Sequence, residues 1–140
     1  AQRAETAIAI GLSLKNTQVN DGILADNTGA LADTDFVGFH VPAHASAAVV
    51  SSVYRKTGQT AVTMDASSLT ATAAADVYAG YYFDGRYLEI YVNRSMVEKY
   101  DLSTASNVPT ALLSPIIAVK AGEASDKIVD VDWIEVFQER

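Results

Sequence analysis

Few of the side chains able to do chemistry stand where chemistry needs them. His40 and His44 are the only two histidines, spaced by four, with Asp33 and Asp35 shortly before them. Imidazole and carboxylate are both competent zinc ligands, and a closed zinc site takes four of them. Pro42 falls between the histidines, so they share no helical face, and a lone pair of imidazoles leaves such a site incomplete. A structural or surface role is expected for both, and no metal site. Asp130 and Asp132 alternate on one strand face near Glu135. A retaining glycosidase would need two carboxyl groups about 5–5.5 Å apart in a cleft beside a sugar. Nothing near these acids in sequence adds a partner acid or an aromatic platform, so solvated edge residues are the plainer reading. No serine sits in a Gly-x-Ser-x-Gly elbow, and there is no glycine-rich phosphate loop. The chain has no cysteine, which removes thiolate nucleophiles, disulfides and thiolate zinc sites together. The expectation is a protein that is not an enzyme, with no catalytic residue and no cofactor.

Recognition is the chemistry that remains. Tyrosine offers a flat apolar ring with a polar tip, suited to sugar stacking or to a protein interface. Tyr78, Tyr82, Tyr87 and Tyr91 fall on one face of a hairpin, with Gly80 and Glu89 among them. The turn is marked by Asp84-Gly85 between two aromatic and β-branched runs, the strongest short-range hairpin signal. A two-residue loop there predicts Phe83 opposite Arg86, Tyr82 opposite Tyr87, Tyr81 opposite Leu88, Gly80 opposite Glu89 and Tyr78 opposite Tyr91. The other face then carries Val77, Ala79, Tyr81, Phe83, Leu88, Ile90 and Val92, a core face. The plainer alternative is that the tyrosines only brace a second layer or a covering loop. Arg55-Lys56 is the one adjacent basic pair, read as an exposed hairpin pair or as a contact to an acidic neighbour. The candidate binding or interface residues are thus Tyr78, Tyr82, Tyr87, Tyr91, Glu89, Arg55 and Lys56.

The elements that must position them read as strands. Ile8, Ile10, Leu12 and Leu14 alternate with Ala7, Ala9, Gly11 and Ser13, a half-buried strand by the period-two rule. Asn16 to Asp35 is rich in Asn, Asp, Gly and Thr and reads as a long loop with room for one short strand. Strands are predicted over Phe36 to Val41, closed by Pro42, then Val49 to Lys56, and Thr60 to Met64 after a Gly58-Gln59 turn. Asp65 to Asp76 is weakly patterned and reads as a loop. A second hairpin turns at Asn93-Arg94 and returns over Val97 to Leu102. A two-residue loop there sets Glu89 opposite Glu98, whereas a three-residue loop sets it opposite Lys99, electrostatically the better pair. Leu112 to Lys120, interrupted by Pro115, and Ile128 to Phe137 complete the set. Pro115 lacks a donor and belongs at an edge, a bulge or a strand start. Eight to ten such short strands predict an all-β fold, an antiparallel β-sandwich or jelly roll. The expected partition is an N-terminal arm plus first strand over 1–15 and one sandwich domain over 16–140.

Size and charge bound the partners. A chain of 140 residues is one ordinary domain, large enough to build a core without metal or disulfide staples. Seventeen acidic against ten basic residues give a net charge of −7. Such a surface repels phosphate, so neither nucleic acid nor an anionic membrane is an expected partner. No stretch approaches the ~20 apolar residues of a membrane span, and Ala1-Gln2-Arg3-Ala4-Glu5 does not read as a signal peptide.

Several segments also carry a family likeness. They are Asp35-Phe36-Val37-Gly38-Phe39; Ala48 to Val62 with its run Val53-Tyr54-Arg55-Lys56-Thr57-Gly58-Gln59-Thr60; Phe83-Asp84-Gly85 with Leu88 to Val92; and Val131-Asp132-Trp133-Ile134-Glu135-Val136. In this order and spacing, from about Gly22 onward, the chain resembles tailed-bacteriophage virion proteins with a concanavalin-like or laminin-G-like sandwich. It departs from their usual pattern at Asn93-Arg94, where an Asp-Gly pair is typical. The resemblance implies a structural role in the virion, most plausibly a decoration or cement protein bound across capsomers. Its partners would be the major capsid protein and copies of itself, a trimer being favoured. Its place would be the capsid surface, after synthesis in the host cytoplasm. The polar stretch Ala1 to Thr6 would serve as an arm to a neighbour. The rival is a carbohydrate-binding module that uses the same fold and takes a glycan on the tyrosine face. A glycoside hydrolase of that fold ranks last, because its strand-borne acidic motif is missing.

Overall fold

A computed structural model describes residues 6–14, 22–25, 29–42, 49–70, 78–121, 131–132 and 134–137, with backbone alone at 49, 65–70 and 121. The described residues form an all-β protein. The strands are β1 (Thr6–Leu14), β2 (Phe36–Val41), β3 (Val49–Arg55), β4 (Val62–Thr70), β5 (Ala79–Phe83), β6 (Tyr87–Val92), β7 (Ser95–Asp101) and β8 (Leu113–Ala121). They pair antiparallel into a five-stranded sheet, β4-β3-β2-β1-β8, and a three-stranded sheet, β5-β6-β7. The two sheets face each other. Phe39 of β2 packs with Leu88 and Ile90 of β6, joined by Val37, Val50, Met64, Tyr81, Tyr100 and Leu102. The Phe39 and Tyr81 rings lie 6.3 Å apart, and the Tyr100 hydroxyl donates to the Met64 carbonyl oxygen at 2.6 Å across the layers.

On β1 the alternation holds, but the deeply buried face is the one made of small residues. Ala7, Ala9 and Ser13 are buried, whereas Ile8, Ile10, Leu12 and Leu14 are half-buried. The cause is the segment before β2, which folds over the small-residue face. Its Ile23, Leu24 and Leu31 pack with Ala7, Ala9, Phe36 and Val53, with Ala61, Ile116 and Ala118 at the margin. A Leu24–Leu31 bridge is the short pairing for which the sequence left room. Small side chains on β1 let this second layer of chain approach the sheet closely.

His40 fastens the same segment. It is buried, and its Nε2 donates to the Gly29 carbonyl oxygen at 2.8 Å. Burial lowers its pKa below the usual 6.5, partly countered by that hydrogen bond. A lowered folded-state pKa means that the unfolded chain takes up a proton that the folded chain resists. Stability from this group is therefore complete above pH 6.5 and falls as pH drops from there toward the folded value. Urea midpoints compared at neutral pH and pH 5 should show wild type losing more stability than His40→Gln. Equal losses would assign the acid sensitivity to other groups.

Two stretches differ from expectation. Asp65 to Thr70, read as loop, continues β4, because β3 supplies ladder partners out to Val49–Thr70 and Val50–Leu69. Residues 71–77 lie outside the described set, as do His44, Asp130 and residues 1–5 of the N-terminal stretch. At the C-terminus, Val131, Asp132 and residues 134–137 carry no strand, although a strand was predicted there. Residues 128–130 and 133 of that prediction are outside the described set. Pro115 sits inside β8 opposite Leu12, and β8 is an edge strand among the described residues, the position proline tolerates.

Candidate recognition face

The smaller sheet turns β6 inward and its tyrosines outward. Leu88, Ile90 and Val92 are buried, and the alternating positions Tyr87, Glu89 and Tyr91 point away from the larger sheet. The β5–β6 register is two residues off the expected one. Phe83 pairs with Leu88, Tyr82 with Glu89, Tyr81 with Ile90 and Gly80 with Tyr91. The Asp84 carboxylate is the reason: Oδ1 accepts from the Arg86 and Tyr87 backbone N–H groups at 2.8 and 2.6 Å. The Asp84 N–H in turn donates to the Tyr87 carbonyl oxygen at 3.3 Å. These bonds build a longer loop than a two-residue turn, and Gly85 alone takes positive φ there, at 93°. They also hold the Asp84 carboxyl below the usual carboxylate range. A slip of two leaves every side chain on its original face, so the tyrosine face survives the error.

The two-residue turn with positive φ at both central positions belongs to the second hairpin, at Asn93 (49°) and Arg94 (68°). It pairs Val92 with Ser95 and Tyr91 with Met96. A bulge at Val97 then shifts the register, so that Ile90 meets Glu98 and Glu89 meets Lys99. Both expected alternatives are thus half right: the short loop forms, and the bulge still delivers the Glu89–Lys99 pair.

That pair organises the face. Lys99 Nζ donates to Glu89 Oε1 at 2.6 Å, and the Tyr91 hydroxyl donates to Glu89 Oε2 at 2.7 Å. The hydrogen bond from Lys99, then that from Tyr91, keeps the Glu89 carboxyl below its ordinary range, while Glu89 raises both donors. Lys99 Nζ also lies 4.6 Å from the Tyr87 ring centroid, and the Arg86 guanidinium 4.8 Å from it. Arg86 is held in turn by Asp101, Nη2 to Oδ2 at 2.7 Å. Arg94 stands 5.2 Å over the Tyr78 ring. Around these lie exposed Tyr82 (43%) and Met96 (53%), with Gly80, which carries no side chain, between Tyr78 and Tyr82 in the sequence of the face. Met96, Arg86 and Asp101 were not singled out from sequence. The Asn93-Arg94 turn implied the place of Met96, whereas the bulge that seats Lys99 has no sequence signature beyond charge complementarity.

Chemically this face combines exposed aromatic rings with paired charges. Glu89 accepts one hydrogen bond at each carboxylate oxygen, which favours its ionised form. Its charges are neutralised within the face, which lowers the cost of burying them against a partner. Arg55, by contrast, is turned inward. Nη1 donates to the Leu31 and Ala32 carbonyl oxygens at 2.7 and 2.8 Å, Nε to that of Gln59, and Nη2 to Asp33 Oδ1 at 3.0 Å. Lys56 follows it, half-buried, at the start of the β3–β4 turn. Asp35 Oδ1 accepts from the Thr57 N–H and hydroxyl, so Asp33, Asp35 and Arg55 tie that turn to the covering segment. His40 takes no part, and no group of three or more His, Asp or Glu converges among the described residues. Asp132 and Glu135 are exposed. No helix among the described residues is long and apolar enough to cross a membrane. Compared with protein-family models, with curated proteins and with solved structures, the chain matches none.

Proposed function

We propose that this protein is a non-enzymatic structural component of a tailed-bacteriophage virion, a decoration or cement protein of the head. In this reading it is a jelly-roll, concanavalin-like sandwich that binds the major capsid protein across capsomers and associates with its own copies, a trimer being favoured. It acts at the capsid surface after synthesis in the host cytoplasm, without nucleic acid, membrane or cofactor. The observation that carries the reading is the outer face of the smaller sheet. Exposed tyrosines and Met96 surround ion pairs that are already neutralised, the composition of a protein interface rather than of ordinary solvated surface. The larger resemblance of the chain supplies the virion context. Repetition around a symmetry axis would make modest single contacts strong through avidity.

Light scattering on a sizing column tests this: a closed oligomer is expected for the wild type. Tyr82→Ala combined with Met96→Ala should shift the mass toward monomer with an unchanged melting temperature. A wild type that stays monomeric as its concentration is raised would contradict self-association. A carbohydrate-binding module is the second reading, favoured by one feature, the exposed Tyr82 ring paired across the sheet with the Glu89 carboxylate. A glycan array separates the two. Glycan affinity lost on Tyr82→Ala would support the module, and an array without hits would leave the assembly reading in place.

A further inference from the structure

The two sheets differ in width. β7 lies against β4, and Tyr81 of β5 lies against Phe39 of β2, so the smaller sheet covers β4, β3 and β2. β1 and β8 extend beyond it. Their registers place Ile8, Ile10, Leu12 and Leu14 of β1 on the same inner face as Phe39 and Val37. Leu113, Pro115, Ile117 and Val119 of β8 pair with them one for one. None of these eight apolar side chains is buried, and Ile117 and Val119 are 38% and 40% exposed. No charged residue interrupts the stripe. An uncharged apolar strip of this length, continuous with the core, is a seat for another segment.

The chain itself carries a matching occupant. β8 ends at Ala121, at the end of the stripe that holds Ile8 and Val119, and nine residues separate it from Val131. Nine residues span up to about 30 Å, ample to return across sheets packed about 10 Å apart. Val131, Ile134, Val136 and Phe137 are apolar yet stand exposed, Phe137 at 83%. We infer that the C-terminal segment from Val131 to Phe137 closes over the β1–β8 stripe of its own chain, as a strap that completes the inner layer beside β5. A tether this short keeps the segment at an effective concentration near millimolar, above that of any second copy in dilute solution. The stripe is on the inner face of β1 and β8, whereas the tyrosines point outward from the smaller sheet, so the strap would leave the tyrosine face uncovered.

The absence of cysteine among the 140 residues makes the test clean in the intact chain. Val131→Cys should react with a thiol-alkylating reagent at least about tenfold more slowly than Gln59→Cys on the exposed β3–β4 turn, by protection in the closed state. Adding Ile117→Asp, a charge placed in the seat, should restore the rate. The pair Ile117→Cys with Val131→Cys should oxidise within one chain, running as a monomer without reductant. An unprotected thiol at position 131 would overturn the inference. A protected one that cross-links only as a dimer would overturn it too, giving the seat to a second copy.

Discussion

Gly11→Ala will destabilise the protein by about 3–5 kcal/mol, a large share of the roughly 5–15 kcal/mol that holds a domain of this size together. Gly11 and Gly38 face each other across β1 and β2. A Cβ on Gly11 would run into the Val37 carbonyl oxygen and lie 2.8 Å from the Gly38 Cα. A Cβ on Gly38 would meet the Ile10 carbonyl oxygen and lie 2.6 Å from the Gly11 Cα. These obstacles are backbone atoms of central strands and cannot swing aside as a side-chain end can. Gly80→Ala is the control: a Cβ there would touch only the Tyr91 Cβ, at 4.0 Å. It should be neutral or stabilise by up to about 1 kcal/mol, since alanine loses less backbone freedom than glycine in a strand. Thermal unfolding of both variants checks the contrast. A Gly11→Ala protein that melts with the wild type would show that the β1–β2 approach is looser than described.

Arg55→Ala should cost about 2–4 kcal/mol, because charge-assisted bonds to three carbonyls are lost and two of those carbonyls are part-buried. The side chain is only 19% exposed, so water replaces little of what is removed. Arg55→Lys should recover less than half, because an ammonium cannot span the Leu31, Ala32 and Gln59 oxygens at once. Asp33→Asn should cost less than about 1 kcal/mol, as Asp33 is 56% exposed and its ion pair is screened. Urea midpoints order the three variants. An Arg55→Ala cost below that of Asp33→Asn would contradict the clamp.

Sequence patterning carried the strands whose alternation was clear and whose ends were punctuated. β2 runs from Phe36 to Val41 before Pro42, and β3 ends at Arg55, one residue short of expectation. The tyrosine face was legible because period two survives an even slip, and the Asp84 loop slipped by two. Three features were hidden for physical reasons. β1 buries its small residues because the connection to β2 folds back on them, and alternation does not say which face a loop will choose. The strand after Met64 is set by its partners on β3, which outweigh a weak local preference. The inward turn of Arg55 follows from carbonyls at Leu31 and Ala32, twenty-four and twenty-three residues away, a pairing no local pattern marks.

The central claim, that the outer face of the smaller sheet is the contact surface, is tested most directly by hydroxyl-radical footprinting of the concentrated, assembled protein against the dilute chain. The account predicts that oxidation of Tyr82 and Met96 falls on assembly while that of exposed Phe83 and Leu112, which lie off this face, stays constant. Equal oxidation of Tyr82 and Met96 in both states would contradict it and place the contact elsewhere on the molecule.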